Sequence, residues 1–297
     1  MKKKILITGI TGMLGSAVLK TFQVSNNYEI FGVSRNSLNN LKNVVMFYGD
    51  LSDKDFMNSF KTKFDIIIHC SAEVNVNLCE TDKVLAFNSN VVATENLVLL
   101  SPKLIVYIST DSVFDGQIGG YVEESNVNPL NYYAKTKLLG EKAIEKNKFN
   151  FLILRTNIYG FNQPMKNSLF EWAYKELKEQ KSINGFSNMY FNPLYVGQIA
   201  ELLYLWVQLE IEKGIYNIGS ENFVSKYEFL NYVLEVFDFD KNQLKSVLFD
   251  NKQCTAPRAL DTTLDISKTK KAVNNFDFSL KSGIIQLKND IENLSVL

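Results

Sequence analysis

Lys4-Ile5-Leu6-Ile7-Thr8-Gly9-Ile10-Thr11-Gly12-Met13-Leu14-Gly15 joins a short apolar run to three glycines spaced three apart. The run has no polar alternation, the pattern of a parallel strand buried on both faces. Beyond it Leu14, Val18 and Phe22 recur at a spacing of four and share one helix face. Each glycine between strand and helix has its own task. Gly9 permits a tight turn, Gly12 lets the backbone approach a pyrophosphate, and Gly15 lets the helix pack closely on the strand. The helix N-terminus offers aligned N–H donors to an anion. Gly9, Gly12, Met13 and Leu14 are therefore the expected phosphate-side contacts of a dinucleotide.

The same alternation of strand and helix continues through half the chain. Apolar runs at Glu29–Val33, Val44–Tyr48, Asp65–Cys70, Leu104–Ser109 and Phe151–Arg155 predict five further strands, and Asn131–Glu145 predicts a helix. Such repetition implies right-handed crossovers and an α/β class, a doubly wound parallel Rossmann sheet. After Arg155 the rhythm changes. Helical stretches at Ser168–Glu179, Gly197–Leu209, Ser225–Val236 and Ser279–Leu294 surround an aromatic segment, Met189–Tyr195, and a short strand, Ile215–Ile218. The pattern predicts a cofactor domain over 1–156, with strands returned from about 186–222, and a smaller, mostly helical substrate lobe over 157–297. No Pro/Gly/Ser-rich linker separates the two, which places the cleft between them.

Composition narrows the chemistry. Basic and acidic side chains number 32 each, so no global field favours nucleic acid or a membrane surface, and neither partner is expected. Cys70, Cys79 and Cys254 lack CxxC spacing, which indicates neither a disulfide framework nor a zinc site. A single histidine, His69, argues against a histidine-based triad, and no metal is expected. No stretch approaches the roughly 20 apolar residues that span a bilayer. The basic start, Met1 to Lys4, leads into a buried strand rather than a signal peptide, so the cytoplasm is the expected compartment.

Tyr133-Ala-Lys-Thr-Lys137 lies within the predicted helix 131–145, and its spacing of four puts Tyr133 and Lys137 on one face. Reduction of a carbonyl needs that convergence, because the oxygen must be protonated as its charge develops. A phenol, with an ordinary pKa of about 10, becomes a usable acid when an ammonium stabilises its phenolate. At the end of the fifth strand Thr110, preferred by position over Ser109, is placed to donate to the carbonyl oxygen. The second strand ends in Val33-Ser34-Arg35, with no carboxylate for a ribose diol, and the Arg35 guanidinium suits a 2′-phosphate. NADP(H) is favoured, with NAD(H) as the other option.

These motifs carry a resemblance to a known family. The GxxGxxG spacing resembles extended short-chain dehydrogenases/reductases. Ser109-Thr110-Asp111-Ser112-Val113-Phe114-Asp115-Gly116 resembles the STDxVFDG signature of dTDP-4-dehydrorhamnose reductases, and Tyr133 to Glu141 resembles their YGKTKLxGE. Pro257-Arg258 through Leu264-Asp265 is similar to the RPxxxxLD stretch that helps close their substrate site. The resemblance implies reduction of the 4-keto group of a nucleotide-activated 6-deoxyhexose. It further implies that Asp50-Leu51 lies beside the adenine and Cys70-Ser71-Ala72 under the nicotinamide half. It places Glu73, Thr110, Asp111, Asn157 and Arg258 toward the substrate. Partners implied are a nucleotide sugar and, as an open option, a second copy in a homodimer.

Departures from the family pattern bear on the pocket. Arg155-Thr-Asn157-Ile158-Tyr-Gly160 stands where a tryptophan often lines the sugar site, Glu73 replaces an aromatic or histidine, and Arg258 is followed by Ala. Ser112 takes the place of the glutamate that related dehydratases use as a base, which favours simple reduction. Two alternatives stay open. One is a cofactor-binding regulatory subunit like that of methionine adenosyltransferase, which resembles the same family. The other is an epimerase-reductase using Glu73 as an unpaired carboxylate. On the cofactor side, Arg35→Ala is expected to weaken NADPH by roughly 10- to 150-fold and NADH far less, since one charge-assisted hydrogen bond is lost only with NADPH. Titration of both cofactors checks it, and equal effects would place Arg35 outside the site.

Overall fold

Seven parallel strands form the central sheet of the computed structural model, which describes residues 2–36 and 41–294. They are β1 (Lys3–Thr8), β2 (Tyr28–Ser34), β3 (Val44–Tyr48), β4 (Ile66–His69), β5 (Leu104–Ile108), β6 (Asn150–Thr156) and β7 (Gly214–Ile218). Their order is β3-β2-β1-β4-β5-β6-β7. Each apolar run predicted as a strand is one, with ends within one residue of expectation. Ile5, Leu6 and Ile7 in β1 have no exposed surface at all, as a strand covered on both faces requires.

The order reverses between β1 and β4, and crevices at such a switch are where doubly wound sheets hold ligands. Gly9 follows β1 and Cys70 follows β4, so both sit at this crevice. Six helices of ten or more residues accompany the sheet. They are α1 (Met13–Gln23), α2 (Tyr132–Glu145), α3 (Leu169–Lys178), α4 (Val196–Leu209), α5 (Lys226–Phe237) and α6 (Leu280–Leu294). Leu14, Val18 and Phe22 of α1 are buried, and the Phe22 ring lies 5.2 Å from Tyr28 and 5.3 Å from Tyr204 of α4. Reciprocal capping boxes, Ser168 with Glu171 and Ser225 with Glu228, start α3 and α5.

The second half also contains short ladders that its helical pattern hid. Ile183–Phe186 pairs in parallel with Leu244–Val247, and Ile158–Tyr159 with Leu194–Tyr195, while Tyr190–Phe191 pairs antiparallel with Val224–Ser225. The aromatic segment 189–195 thus supplies two of these strands. Residues 257–265 are stitched across both halves. Tyr121 donates to Thr263 (2.9 Å) and accepts from Asp265 (2.8 Å), and Thr262 donates to Tyr190 (3.0 Å), all through the backbone. The buried Asn192 amide takes the Leu264 N–H at 2.9 Å and donates back to its carbonyl at 2.9 Å. Among the described residues no helix is long and apolar enough to cross a membrane.

The glycine loop makes a sharp mechanical demand. Gly9 has φ +61°, and a Cβ at Gly15 would overlap the Gly9 carbonyl oxygen, backbone that no rotamer change can move. At Gly12 a Cβ would meet that oxygen at 3.1 Å, a much milder contact. Gly15→Ala is therefore expected to destabilise the fold by about 2–3 kcal/mol, as overpacking does, and Gly12→Ala by less. Thermal unfolding of the two variants checks the ranking, and a Gly15→Ala protein as stable as the parent would contradict it.

Candidate functional site

α1 begins at Met13 with Gly12 as its N-cap, which has no side chain to occupy the free N–H groups of the first turn. The Gly12 N–H itself turns back to the Gly9 carbonyl at 2.8 Å. Above this turn opens a cavity of about 310 Å³ lined by Gly9, Gly12, Arg35, Asp50, Leu51, Cys70, Ser71, Ala72 and Glu73, among others. Eight of the expected cofactor-side residues thus meet the expected substrate-side Glu73 in one groove; Met13 and Leu14 do not line it, and Leu14 is packed into the core. A larger cavity of about 650 Å³ lies between α1, α4 and α6 and contains none of these residues.

Arg35 is exposed and makes no hydrogen bond or ion pair with a described residue. Asp50 is partly committed, because one carboxylate oxygen accepts from the Ser52 N–H and hydroxyl, both at 2.8 Å. Ser71 is held to Thr8 through its N–H (3.2 Å) and hydroxyl (3.1 Å). Burial pushes the Cys70 thiol up to about 12, so it is inert packing rather than a nucleophile. Lys166 also lines the groove, a contact that nothing in its sequence surroundings signals.

Tyr133 and Lys137, the expected proton donor and its cation, both lie on α2. Asn131 caps this helix by accepting the Ala134 N–H at 3.0 Å. Lys137 is 3% exposed and its Nζ lies 4.1 Å from the Tyr107 ring centroid. The Thr110 hydroxyl lies within range of the Tyr133 phenol and favours its ionised form. Ser109 is spoken for: its hydroxyl makes a short hydrogen bond to Glu141, which pairs with Arg155 at 2.8 Å in a fully buried ion pair. Of the two hydroxyls at this strand end, only Thr110 faces the phenol.

Electrostatics here differ from the expected picture. Burial, not an ammonium, dominates Tyr133 and raises its phenol well above the ordinary value, with the Thr110 hydroxyl opposing. Burial likewise pulls Lys137 down to about 7, with Glu141 opposing. His69 is neutral, lowered to about 3 by burial and by Lys137. It bridges Thr8 (2.7 Å) and Thr94 (3.1 Å) in the core, a structural role.

On the substrate side, Asp111 is 1% exposed and saturated with donors. Asn157 (2.9 Å) and Thr262 (2.6 Å) reach one oxygen, and Ser112 and Thr110 (3.2 Å each) the other. Burial raises its pKa and these bonds lower it in part. Asn157 is thus an Asp111 partner. The Glu73 carboxylate is not unpaired as expected, since it accepts the Asn75 N–H at 2.9 Å and closes a turn. Its backbone is gripped by Asn90, which also donates to Thr136 of α2 at 2.9 Å. Arg258 donates to Asn77 at 3.0 Å, and Pro257 accepts from the Asn131 amide at 3.0 Å, fastening this segment to the start of α2.

Asn90, Thr262 and Lys226 are site neighbours that the linear sequence did not disclose. Asn90 sits in a π-helical turn, Asn88–Val92, between two α-helical stretches, and such turns gather at functional sites. Lys226 opens α5 and lies within electrostatic range of Asp111. Among the described residues no cluster of His, Cys, Asp and Glu forms a metal-type site.

Lys137 carries a stability signature. Its folded value, about 7, lies below the unfolded value of 10.5, so the unfolded chain binds more protons between those pH values. Its cost to stability therefore grows as pH falls through that window and levels off below about 7. Lys137→Met is expected to be more stable than the parent at pH 7, on the order of a few kcal/mol, with the gain vanishing above about pH 10. Thermal unfolding across pH 6–10 checks this; a variant that loses stability at pH 7 would contradict it.

Known proteins share sequence and fold with this chain. The family model described as RmlD substrate binding domain matches residues 2–289. Methionine adenosyltransferase 2 subunit beta of Xenopus laevis is 30% identical over 278 residues, covering 91% of this chain and 82% of that protein. The dTDP-4-dehydrorhamnose reductase of Aggregatibacter actinomycetemcomitans is 27% identical over 288 residues, covering 91% and 92%. The dTDP-4-dehydrorhamnose reductase of Bacillus anthracis, solved in complex with NADP, shares the fold with a TM-score of 0.84 at 22% identity, covering 98% of this chain and all of that one. With the family model spanning nearly its whole length, the chain belongs to the RmlD substrate-binding family, a group of extended short-chain dehydrogenases/reductases.

Proposed function

We propose that this protein is an NADPH-dependent reductase of the 4-keto group of a nucleotide-activated 6-deoxyhexose. The observation that carries the reading is the Thr110 hydroxyl brought within range of the Tyr133 phenol at the end of β5, with Lys137 buried on the same helix and a glycine loop whose first-turn N–H groups have no side-chain cap. The division into a cofactor part ending near residue 156 and a substrate lobe beyond it belongs to the same proposal.

The groove fits a nicotinamide dinucleotide by its own chemistry. Free N–H groups at the start of α1 suit the pyrophosphate, and the Arg35 guanidinium, without a partner among the described residues, suits a 2′-phosphate. When bound, the nicotinamide supplies the hydride. Thr110 and Tyr133 then hold the ketone oxygen between two hydroxyls, and the phenol gives it a proton as the alcohol forms. Lys137, one helical turn on from Tyr133, would supply the positive charge that favours the phenolate left behind, and its value of about 7 lets it take up or release a proton. The engaged Glu73 carboxylate and Ser112 leave no poised ring-proton base, which supports reduction without epimerisation.

A second reading has one observation in its favour, the 30% identity to a methionine adenosyltransferase subunit. On that reading the chain binds a nicotinamide dinucleotide and turns nothing over. Oxidation of NADPH at 340 nm with a dTDP-, UDP- or GDP-linked 4-keto-6-deoxyhexose separates the two. The reductase reading expects turnover, with Tyr133→Phe losing roughly 10²–10⁴ in kcat while NADPH affinity stays within a few-fold. A Tyr133→Phe enzyme retaining more than about a tenth of the parent rate would overturn the assignment of the proton donor.

A further inference from the structure

Among the described residues that line the groove above the glycine turn, all but one lie between Gly9 and Ala93. The exception is Lys166, from the segment that joins Gly160 to α3 in the other half of the chain. Lys166 and Arg35 are the two cations among these lining residues. The strand order β3-β2-β1-β4 sets out the groove. Arg35 and Asp50 follow β2 and β3 on one side of the glycine turn, and Cys70 to Glu73 follow β4 on the other.

The Lys166 segment crosses the middle of this row. A Cβ on Gly160 would stand 3.3 Å from both Cγ and Sδ of Met13, the first residue of α1. The chain therefore departs in contact with the helical turn that carries the free N–H groups, and six residues later it is again at the groove. Between these points it is tied to Glu171 of α3, which is 1% exposed. The Glu171 carboxylate accepts the N–H groups of Asn162 (2.7 Å), Lys166 (2.9 Å) and Ser168 (3.0 Å), and the Asn162 amide at 3.0 Å. The Lys166 backbone is thus fixed by a buried group. Its ammonium is exposed and makes no hydrogen bond or ion pair with a described residue. An anchored backbone carrying an unspent cation can close on an anion while ordering little more than one side chain.

We propose that Lys166 binds the pyrophosphate of the nicotinamide dinucleotide, closing the groove over it. The glycine turn and the start of α1 supply directed N–H donors and a partial charge, and an ammonium adds the full charge that they lack. Position separates the two cations. Arg35, beyond β2, meets the 2′-phosphate that only NADPH carries, whereas Lys166 arrives beside α1 and meets the group common to NADPH and NADH. Its segment also follows closely on Asn157, which donates to Asp111, so one stretch of chain serves the dinucleotide and the Asp111 side together. This rests on the reading that the groove holds a nicotinamide dinucleotide, and not on what is reduced.

Fluorescence titration of the full chain with NADPH and with NADH, in the absence of any keto sugar, tests it. Lys166→Met is expected to weaken both cofactors by the same factor, about 5- to 50-fold, because both carry the pyrophosphate. Lys166→Arg should stay within a few-fold of the parent. The parent's affinity should fall more steeply with added salt than that of Lys166→Met, which has lost a charge contact. Unchanged thermal unfolding of both variants without cofactor verifies that they are folded. A Lys166→Met protein that binds both cofactors as tightly as the parent would overturn the proposal. A loss confined to NADPH would overturn it as well, by placing Lys166 at the 2′-phosphate. A parent that binds neither dinucleotide would defeat the cofactor reading itself. One that binds both but reduces no keto sugar would defeat the reductase reading and leave the Lys166 result standing.

Discussion

The Asp111 carboxylate is the joint on which this site depends. It sits where β5 ends, takes Asn157 from the end of β6, and takes Thr262 from a segment 151 residues away in sequence. A buried carboxylate without partners would neutralise itself or destabilise the fold, because its desolvation is not recovered. Four donors make its burial tolerable, and in doing so they fix three separate stretches of chain against one another. Thr110, one of the four, also meets Tyr133, so the hydroxyl facing the phenol is held by the same joint.

Beneath that joint lies a second polar layer. Glu141 and Arg155 pair out of water, Ser109 donates to Glu141, and Arg155 reaches the Glu123 carbonyl at 2.9 Å. An ion pair of this kind is weak evidence for net stability, since replacing both partners is often neutral. Losing one partner is another matter and costs about 3–5 kcal/mol. Its effect here is positional. α2 is tied to β6 on the turn after Lys137, which keeps Tyr133 and Lys137 facing the crevice instead of solvent. Lys137 rests on the Tyr107 ring, a surface that holds a cation without neutralising it.

Cofactor and substrate sides are built by different means. On the cofactor side the backbone works directly, through the glycine turn and the open N-terminus of α1. Chemistry of that sort depends on small residues at fixed spacing and tolerates little change. On the proposed substrate side the polar groups are side chains, with Asn77, Asp111 and Arg258 drawn from separate stretches of the chain. Exchange of one side chain there alters recognition without disturbing the sheet, which suits a family whose relatives carry names as different as a reductase and a transferase subunit.

The sequence by itself determined the parts governed by local physics. Unbroken apolar runs can only be buried strands, three glycines at fixed spacing require a close turn, and a spacing of four puts Tyr133 and Lys137 on one face. The expected strands and helices therefore fall within a residue or two of the observed ones. Tertiary structure decided everything that depends on meeting across distance. Glu73 looks free in the sequence, yet the turn that follows brings the Asn75 N–H to it. The helical rhythm of the second half concealed three short ladders, because strands of two to four residues carry too little periodicity to register. Lys166 reads as an ordinary loop lysine, and only the fold places it at the groove above the glycine turn. The Tyr133 phenol and Lys137 ammonium were legible as a pair, but their titration was not. Burial sets it, and burial is a property of how the whole chain closes over them.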